Sequence, residues 1–141
     1  MITMSINNNL AERIAEMFLG VPYKHRGRDF SGLDCLGLVL LFYSKFGLKF
    51  PDYEYSEEWK KNGEGKFLEE IPKFFIKVNK PKSLDLVVFK NCFGQAVHIG
   101  VMINRFGRFI HCTKNGVSID RIFHYSGKIE GFYRPKELAD G

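Results

Sequence analysis

The chain has 141 residues, of which 45% are hydrophobic and 26% are charged. These proportions are typical of a globular protein and exclude a disordered one, and the length suits a single domain spanning residues 1–141. The net charge of +5 comes from basic residues that are spread along the chain. We interpret it as a solvated basic surface and expect no nucleic-acid partner. The alternative is that the charge serves a polyanionic partner such as an acidic wall polymer.

The cysteine count and the N-terminal segment exclude further classes of protein. Cys35, Cys92 and Cys112 give an odd number with no CxxC spacing, which argues against a disulfide framework and a zinc knuckle. The first 20 residues contain acidic residues and no uninterrupted apolar stretch. They predict neither a signal peptide nor a membrane span, so we expect synthesis in the cytoplasm and no membrane partner.

The first predicted element is a helix over Asn7–Phe18. Leu10, Ile14 and Phe18 recur there at helical spacing. The segment Lys24–Gly32 follows and is predicted to be a loop, because it holds two glycines and four basic residues.

A second helix is predicted to end at about Phe46, with Gly47 as its C-terminal cap. Either Ser31 or Asp34 can cap its beginning, because Ser31-x-x-Asp34 matches a capping box and Asp34 is itself a good cap. The helix is apolar nearly all round, so we expect it to be central and buried.

Later segments change from helical to strand periodicity. Phe50–Gly65 is predicted to be a loop with a short helix, and Lys66–Phe75 to be a third helix. Five strands are then predicted over Leu86–Lys90, Val97–Asn104, Phe109–Thr113, Val117–Arg121 and Ile129–Tyr133. Helices followed by strands indicate an α+β fold with a five-stranded antiparallel sheet.

Cys35 is the candidate nucleophile. It lies in the first turn of the predicted second helix, where unpaired backbone N–H groups favour a thiolate. His25, Arg26 and Arg28 precede it and add positive charge. The alternative is a buried structural cysteine, which is the better interpretation of Cys92 and Cys112.

His98 and His111 are the candidate base and orienting residue. They fall on two predicted strands joined by a turn near Arg105–Gly107, so the strands should form a hairpin. The two side chains share a face only if paired residue numbers sum to an odd value, near 209–211. The alternative for His98 is a histidine on a solvated sheet face; metal binding by these histidines is disfavoured, since no HExxH-type spacing is present.

Four blocks of the sequence resemble the NlpC family of papain-like cell-wall cysteine peptidases. They are GVPYKHRGRDFSGLDCLGL, LDLVVF, HIGVMI and FIHCTKNGVSI. The resemblance covers about Ala11–Tyr133. It implies a papain-like fold in which N-terminal helices pack on the sheet.

The resemblance also implies site residues and an activity. Cys35 would be the nucleophile, His98 the general base and His111 the orienting residue. Tyr23 and Asp34 would support substrate binding or the oxyanion. The family hydrolyses the bond between D-glutamate and a diamino acid in peptidoglycan stem peptides, and it needs no metal or organic cofactor.

Two features are similar to the phage-tail branch of that family: the missing export signal and the insert FGLKFPDYEYSEEW. Leu36 stands where that branch often has Trp. The expected partners are a stem peptide and phage tail proteins, with delivery on a virion tail or to the cell wall. Alternatives are a non-catalytic tail assembly component, and an effector that performs another amide or acyl-transfer reaction.

Overall fold

The computed structural model describes residues 8–59 and 66–139. Its helices are α1 (Asn8–Glu16), α2 (Cys35–Ser44), α3 (Lys66–Glu69), α4 (Ile71–Phe74) and α5 (Lys136–Ala139). Its strands are β1 (Arg28–Asp29), β2 (Gly32–Leu33), β3 (Phe75–Val78), β4 (Leu86–Lys90), β5 (Ala96–Met102), β6 (Arg108–Thr113), β7 (Gly116–Arg121) and β8 (Ile129–Pro135). A 3₁₀ helix, Ile122–Tyr125, connects β7 to β8.

The main sheet is antiparallel and has the strand order β3-β8-β4-β5-β6-β7. The α+β prediction is confirmed, and all five predicted strands are present. The prediction of five strands is nevertheless wrong, because the sheet has six within the described residues. The additional strand is β3, whose aromatic and β-branched residues suit an edge strand and pair with β8 from Phe75↔Pro135 to Val78↔Phe132.

The third helix predicted over Lys66–Phe75 is therefore wrong in extent. Two short helices, α3 and α4, occupy most of it, and Pro72 lies in the first turn of α4, where its missing N–H costs nothing. Phe75 already belongs to β3. The short helix expected within Phe50–Gly65 lies partly outside the described residues, since residues 60–65 are not among them.

The N-terminal elements differ from prediction at their ends. Within the described residues, α1 ends at Glu16, two residues before the predicted Phe18, while Asn7 lies outside them. The predicted loop Lys24–Gly32 contains the small hairpin β1–β2, in which Arg28 pairs with Leu33 and Asp29 with Gly32. This hairpin brings the basic residues back against the beginning of α2.

The main sheet separates two cores. On one face, α2 packs against β5 and β6, and seven of its ten residues are buried, as expected for a central helix. On the other face, a smaller cluster forms from Val87, Phe89, Met102 and Phe109. Because side chains alternate along a strand, successive residues of β5 and β6 serve different cores.

Two contacts fix α2 in place. The Tyr43 hydroxyl, fully buried, donates to the Leu84 carbonyl over 2.8 Å. Near the other end, the backbone of Gly27 lies so close to Gly37 that a Cβ at Gly37 would overlap the Gly27 carbonyl oxygen. The glycine two residues after Cys35 thus allows the basic loop to touch the helix.

No helix within the described ranges combines the length and the apolar character needed to cross a membrane.

Gly37→Ala tests this close approach. In a free helix the substitution would stabilise by about 1 kcal/mol, whereas here we expect a loss of at least about 2 kcal/mol in the free energy of unfolding, because the added methyl displaces the loop. Urea unfolding measures the difference, with Ser44→Ala at an exposed position of α2 as the control. A stabilised Gly37→Ala protein would contradict the contact.

Candidate active site

Asp34 caps α2 and leaves Cys35 as its first residue. One carboxylate oxygen, Oδ1, accepts hydrogen bonds from the Gly37 N–H over 2.8 Å and from Arg28 Nη1 over 2.9 Å. The other, Oδ2, accepts from the Arg26 N–H and from the Tyr55 hydroxyl. Of the two capping residues that the sequence leaves open, Asp34 is the one used.

Arg28 connects Asp34 to the segment that follows α2. Its Nε and Nη2 donate to the two oxygens of Asp52 over 2.9 and 2.8 Å, and Nη2 also donates to the Tyr55 hydroxyl. Burial lowers the pKa of Arg28, but its hydrogen bonds with Asp52 and Tyr55 outweigh that effect and raise the pKa overall. Arg28 is therefore a permanent cation beside Asp34.

Arg26 ties the same two segments together. Its guanidinium donates to the Tyr53 carbonyl and to Glu54, and its backbone adopts a positive φ of 60°. Burial and the hydrogen bond to Asp34 raise the pKa of Tyr55 well above its usual range, so the phenol stays protonated. The beginning of α2 is therefore held by a closed network of two arginines, carboxylates and a tyrosine.

His98 and His111 lie together on the face of the sheet that carries the smaller core. Gly100 pairs with His111, so paired residue numbers in the β5–β6 hairpin sum to 211, the odd register that the dyad requires. His98 Nε2 lies 2.9 Å from His111 Nδ1. The predicted juxtaposition of the two histidines is confirmed, whereas their catalytic roles stay a prediction.

Gly100 makes room for this arrangement. A Cβ at Gly100 would lie 2.8 Å from the Ile110 carbonyl oxygen, closer than real contacts allow, and 3.1 Å from the His111 Cβ, which is tighter than most real contacts. The His-x-Gly pattern thus has a steric reason, since the glycine lets β5 approach β6 beside the His111 ring.

His111 is buried among aromatic rings. Its ring centroid lies 4.6 Å from that of Phe109 and 5.8 Å from that of Tyr125, and only 2% of the residue is exposed. Burial lowers the pKa of His111 to about 4, and the negative charge of Asp120 offsets only part of that shift. At neutral pH, His111 is therefore an uncharged ring that can accept a hydrogen bond from His98.

Cys112 joins the sheet to the segment before Cys35. Its side chain belongs to the larger core, on the face opposite His111, and its thiol donates to the Leu33 carbonyl over 3.1 Å. Burial raises the pKa of Cys112 to about 12, and the nearby charges of Cys35 and Asp34 act in the same direction. Cys112 is thus an inert anchor close to Cys35.

The strand directions bring the candidate residues to one end of the sheet. Because β5 and β6 are antiparallel, the beginning of β5 with His98 adjoins the end of β6 with Cys112. Leu33, to which Cys112 binds, lies two residues before Cys35. The beginning of α2 and the histidine pair therefore lie at the same end of the sheet.

Tyr23 lies at that end as well. Its backbone forms a parallel bridge with Leu33, and the Lys114 ammonium lies 4.7 Å from the centre of its ring. Burial raises the pKa of the Tyr23 hydroxyl, and Lys114 offsets part of the rise. Tyr23 is therefore a protonated hydroxyl beside the strand that leads into Cys35.

The remaining cysteine and the remaining histidines do not join this group. Cys92 is exposed in the β4–β5 turn, so its interpretation as a buried structural cysteine is wrong. His25 packs edge-on against Tyr55, with ring centroids 5.6 Å apart, and His124 lies in the 3₁₀ helix. Among the described residues, no three His, Cys, Asp or Glu side chains are grouped as a metal site.

Sequence reasoning missed several residues around the site. Asp52 and Tyr55 lie in Phe50–Gly65, where only a loop and a short helix are predicted. Asp120 belongs to a predicted strand and Tyr125 follows it, and neither position indicates an interaction with His111. The one available signal was the aromatic and acidic composition of the insert beside a basic loop.

The fold thus places a thiol at the beginning of a helix and a pair of histidines at the same end of an antiparallel sheet. The family model of the NlpC/P60 family matches residues 20–129. The chain therefore belongs to the NlpC/P60 family. A search of curated protein sequences finds no significant match.

Solved structures share the fold. The NlpC/p60 domain of the peptidoglycan hydrolase SagA is 20% identical with a TM-score of 0.61, and the match covers 92% of this chain and 98% of that one. An NLP/P60 family protein from Staphylococcus aureus, similar to a lipoprotein, is 17% identical with a TM-score of 0.66, and 91% of this chain is covered. An NlpC/P60 family protein from Bacillus cereus is 21% identical with a TM-score of 0.65, and 90% is covered.

The chain spans only 41% and 39% of the lengths of the S. aureus and B. cereus proteins. At these identities the likeness establishes the α+β fold of the family.

His111→Gln tests the buried neutral ring. The unfolded chain binds a proton at His111 below about pH 6.5, whereas the folded protein does so only near pH 4. The free energy of unfolding should therefore fall as the pH drops through this window, by about 2 kcal/mol between pH 7 and pH 5 from this residue alone.

Glutamine has no such proton, so we expect His111→Gln to flatten the decline. Denaturant unfolding at a series of pH values measures it. Ser118→Ala is the control, since Ser118 pairs with His111 across the β6–β7 hairpin and carries no titrating proton, so its loss should not flatten the curve. Parallel curves for wild type and His111→Gln would show that His111 is not buried in its neutral form.

Proposed function

We propose that this protein is a cysteine endopeptidase that cleaves peptidoglycan stem peptides at the bond between D-glutamate and a diamino acid. Membership of the NlpC/P60 family and the fold shared with the SagA peptidoglycan hydrolase domain support the proposal. The observation that carries it is the 2.9 Å contact between His98 Nε2 and His111 Nδ1, at the end of the sheet where α2 begins.

The proposed reaction is acyl transfer in two halves. The Cys35 thiolate attacks the carbonyl carbon, and the N–H groups at the beginning of α2 stabilise the developing oxyanion. His98 then gives its proton to the leaving amine as the C–N bond breaks, which leaves a thioester on Cys35. Water hydrolyses the thioester while His98 takes up the proton, and the free carboxylate and thiolate are released.

His111 has the orienting role in this scheme. A protonated His98 needs an acceptor for its Nε2 proton, and the uncharged His111 offers Nδ1 at hydrogen-bonding distance. Because the pKa of His111 is lowered to about 4, the ring does not compete for the proton at neutral pH.

The negative charge of Asp34 acts against ionisation of the neighbouring Cys35 thiol. A carboxylate next to Cys35 in sequence would oppose formation of a thiolate. Four donors saturate Asp34, and one of them is the Arg28 cation at 2.9 Å. We propose that Asp34 positions the beginning of α2, that the N-terminal end of the helix favours the thiolate, and that the Tyr23 hydroxyl contacts the substrate or the oxyanion.

Digestion of purified peptidoglycan tests the activity. We expect wild-type protein to release stem-peptide fragments that mass spectrometry identifies by a new D-glutamate terminus. Cys35→Ala should reduce the release at least roughly a thousandfold, since it removes the nucleophile. The matched control is Cys92→Ala, which removes an exposed thiol and should leave the activity unchanged.

Equal digestion by wild type and Cys35→Ala would refute a cysteine mechanism. Cleavage at a different bond, with dependence on Cys35 intact, would refute only the assignment of the bond.

We also propose that the protein acts within a phage tail or a tail-like particle. The support is the resemblance of its aromatic and acidic insert to that branch of the family. We expect the protein to copurify with intact particles and the particles to digest peptidoglycan only when Cys35 is present. Particles that contain the protein and are equally active with Cys35→Ala would instead favour a non-catalytic assembly role.

A further inference from the structure

Three polar side chains form a group beside His111, on the side away from His98. Asp120 Oδ1 lies 2.7 Å from His124 Nδ1, and Asp120 Oδ2 accepts a hydrogen bond from the Tyr125 hydroxyl over 2.9 Å. The backbone N–H of Arg121 also donates to Asp120 over 2.8 Å. The carboxylate is thus held at a fixed place on β7.

The strand register places this carboxylate on the histidine face. In the β6–β7 hairpin, His111 pairs with Ser118 and Phe109 pairs with Asp120, so Asp120 is the diagonal neighbour of His111. Diagonal neighbours on one face have Cα atoms about 7–8 Å apart. The 3₁₀ helix completes the enclosure, because Tyr125 packs edge-on against the His111 ring.

We propose that Asp120 is a positioning residue that acts through His111 and holds the uncharged ring in the tautomer with its proton on Nε2. This role rests on the proposed function of the histidine pair. It assigns to Asp120 a part in the site that no sequence pattern suggested.

The tautomer matters because the uncharged His111 ring carries a single proton, on either Nδ1 or Nε2. His111 Nδ1 faces His98, so a proton on that nitrogen would oppose the N–H of a protonated His98. The negative charge of Asp120 lies on β7, and β5 with His98 lies on the opposite edge of β6. This charge favours the His111 tautomer whose N–H points away from His98. Nδ1 then remains a lone-pair acceptor, as the orienting role requires.

Asp120 carries that charge at neutral pH. Partial burial raises its pKa, but the hydrogen bonds from His124, Arg121 and Tyr125 outweigh this and lower the pKa overall. The described neighbours of His111 on the other strands offer no competing carboxylate: β4 contributes Phe89, and β5 contributes His98. The other titratable groups in the cluster around Asp120 are His124 and Tyr125, both of which bind the carboxylate.

Nitrogen-15 NMR of histidine-labelled protein tests the proposal without any substrate. The protein has four histidines, and single His→Gln variants assign their signals. In wild type we expect His111 to be predominantly the Nε2–H tautomer. In Asp120→Asn the share of the Nδ1–H tautomer should rise several-fold. The titration midpoint of His98 should then fall, because His111 Nδ1 no longer accepts the Nε2 proton of a protonated His98 as well.

Asp120→Glu retains the charge and should restore both readings, whereas a purely structural role would give no such rescue. Ser118→Ala is the matched control, since Ser118 lies directly opposite His111 and carries no charge. We expect it to leave both readings unchanged.

An Nδ1–H tautomer in wild-type protein would overturn the proposal, as would a folded Asp120→Asn protein with unchanged tautomer and titration. These outcomes are separate from the activity on peptidoglycan. A protein that digests no peptidoglycan but shows the expected tautomer shift would refute the proposed function and leave the coupling of Asp120 to His111 standing.

Discussion

The pairing of Gly100 with His111 is the constraint on which the site depends. With paired numbers summing to 211, His98 and His111 share one face and Cys112 turns to the other. A slip by one residue would send His111 into the larger core and Cys112 out of it. The same register therefore forms the histidine pair and holds Leu33, two residues before Cys35, through the Cys112 thiol.

The basic loop and the insert stabilise the beginning of α2. Asp34 ends the basic loop, caps the helix and pairs with Arg28, which also binds Asp52 and Tyr55 beyond the helix. Gly37 permits the close contact of loop and helix. The acidic insert thus holds the arginines of the basic loop in place, and the Arg28 cation offsets the Asp34 charge that would otherwise disfavour a thiolate at Cys35.

The parts of the fold with strong local periodicity could be predicted from the sequence. Five strands, the buried α2 and the odd hairpin register follow from alternation and from the spacing of His98 and His111. The strand β3 could not, because Phe75–Val78 is short and its strand state comes from pairing with β8, which lies far away in sequence. The roles of Tyr55 beside Asp34 and of Asp120 beside His111 could not be predicted either, because contacts between segments far apart in sequence leave no periodic pattern.

The central proposal is that Cys35 and His98 act as a pair in which His98 holds the proton given up by the thiol. Its most direct test is the rate of alkylation of Cys35 as a function of pH, in protein whose exposed Cys92 is replaced by alanine. The account predicts an inflection well below the ordinary thiol value of about 8.5, which returns toward that value in His98→Ala. An inflection near the ordinary value that is the same with and without His98 would contradict it.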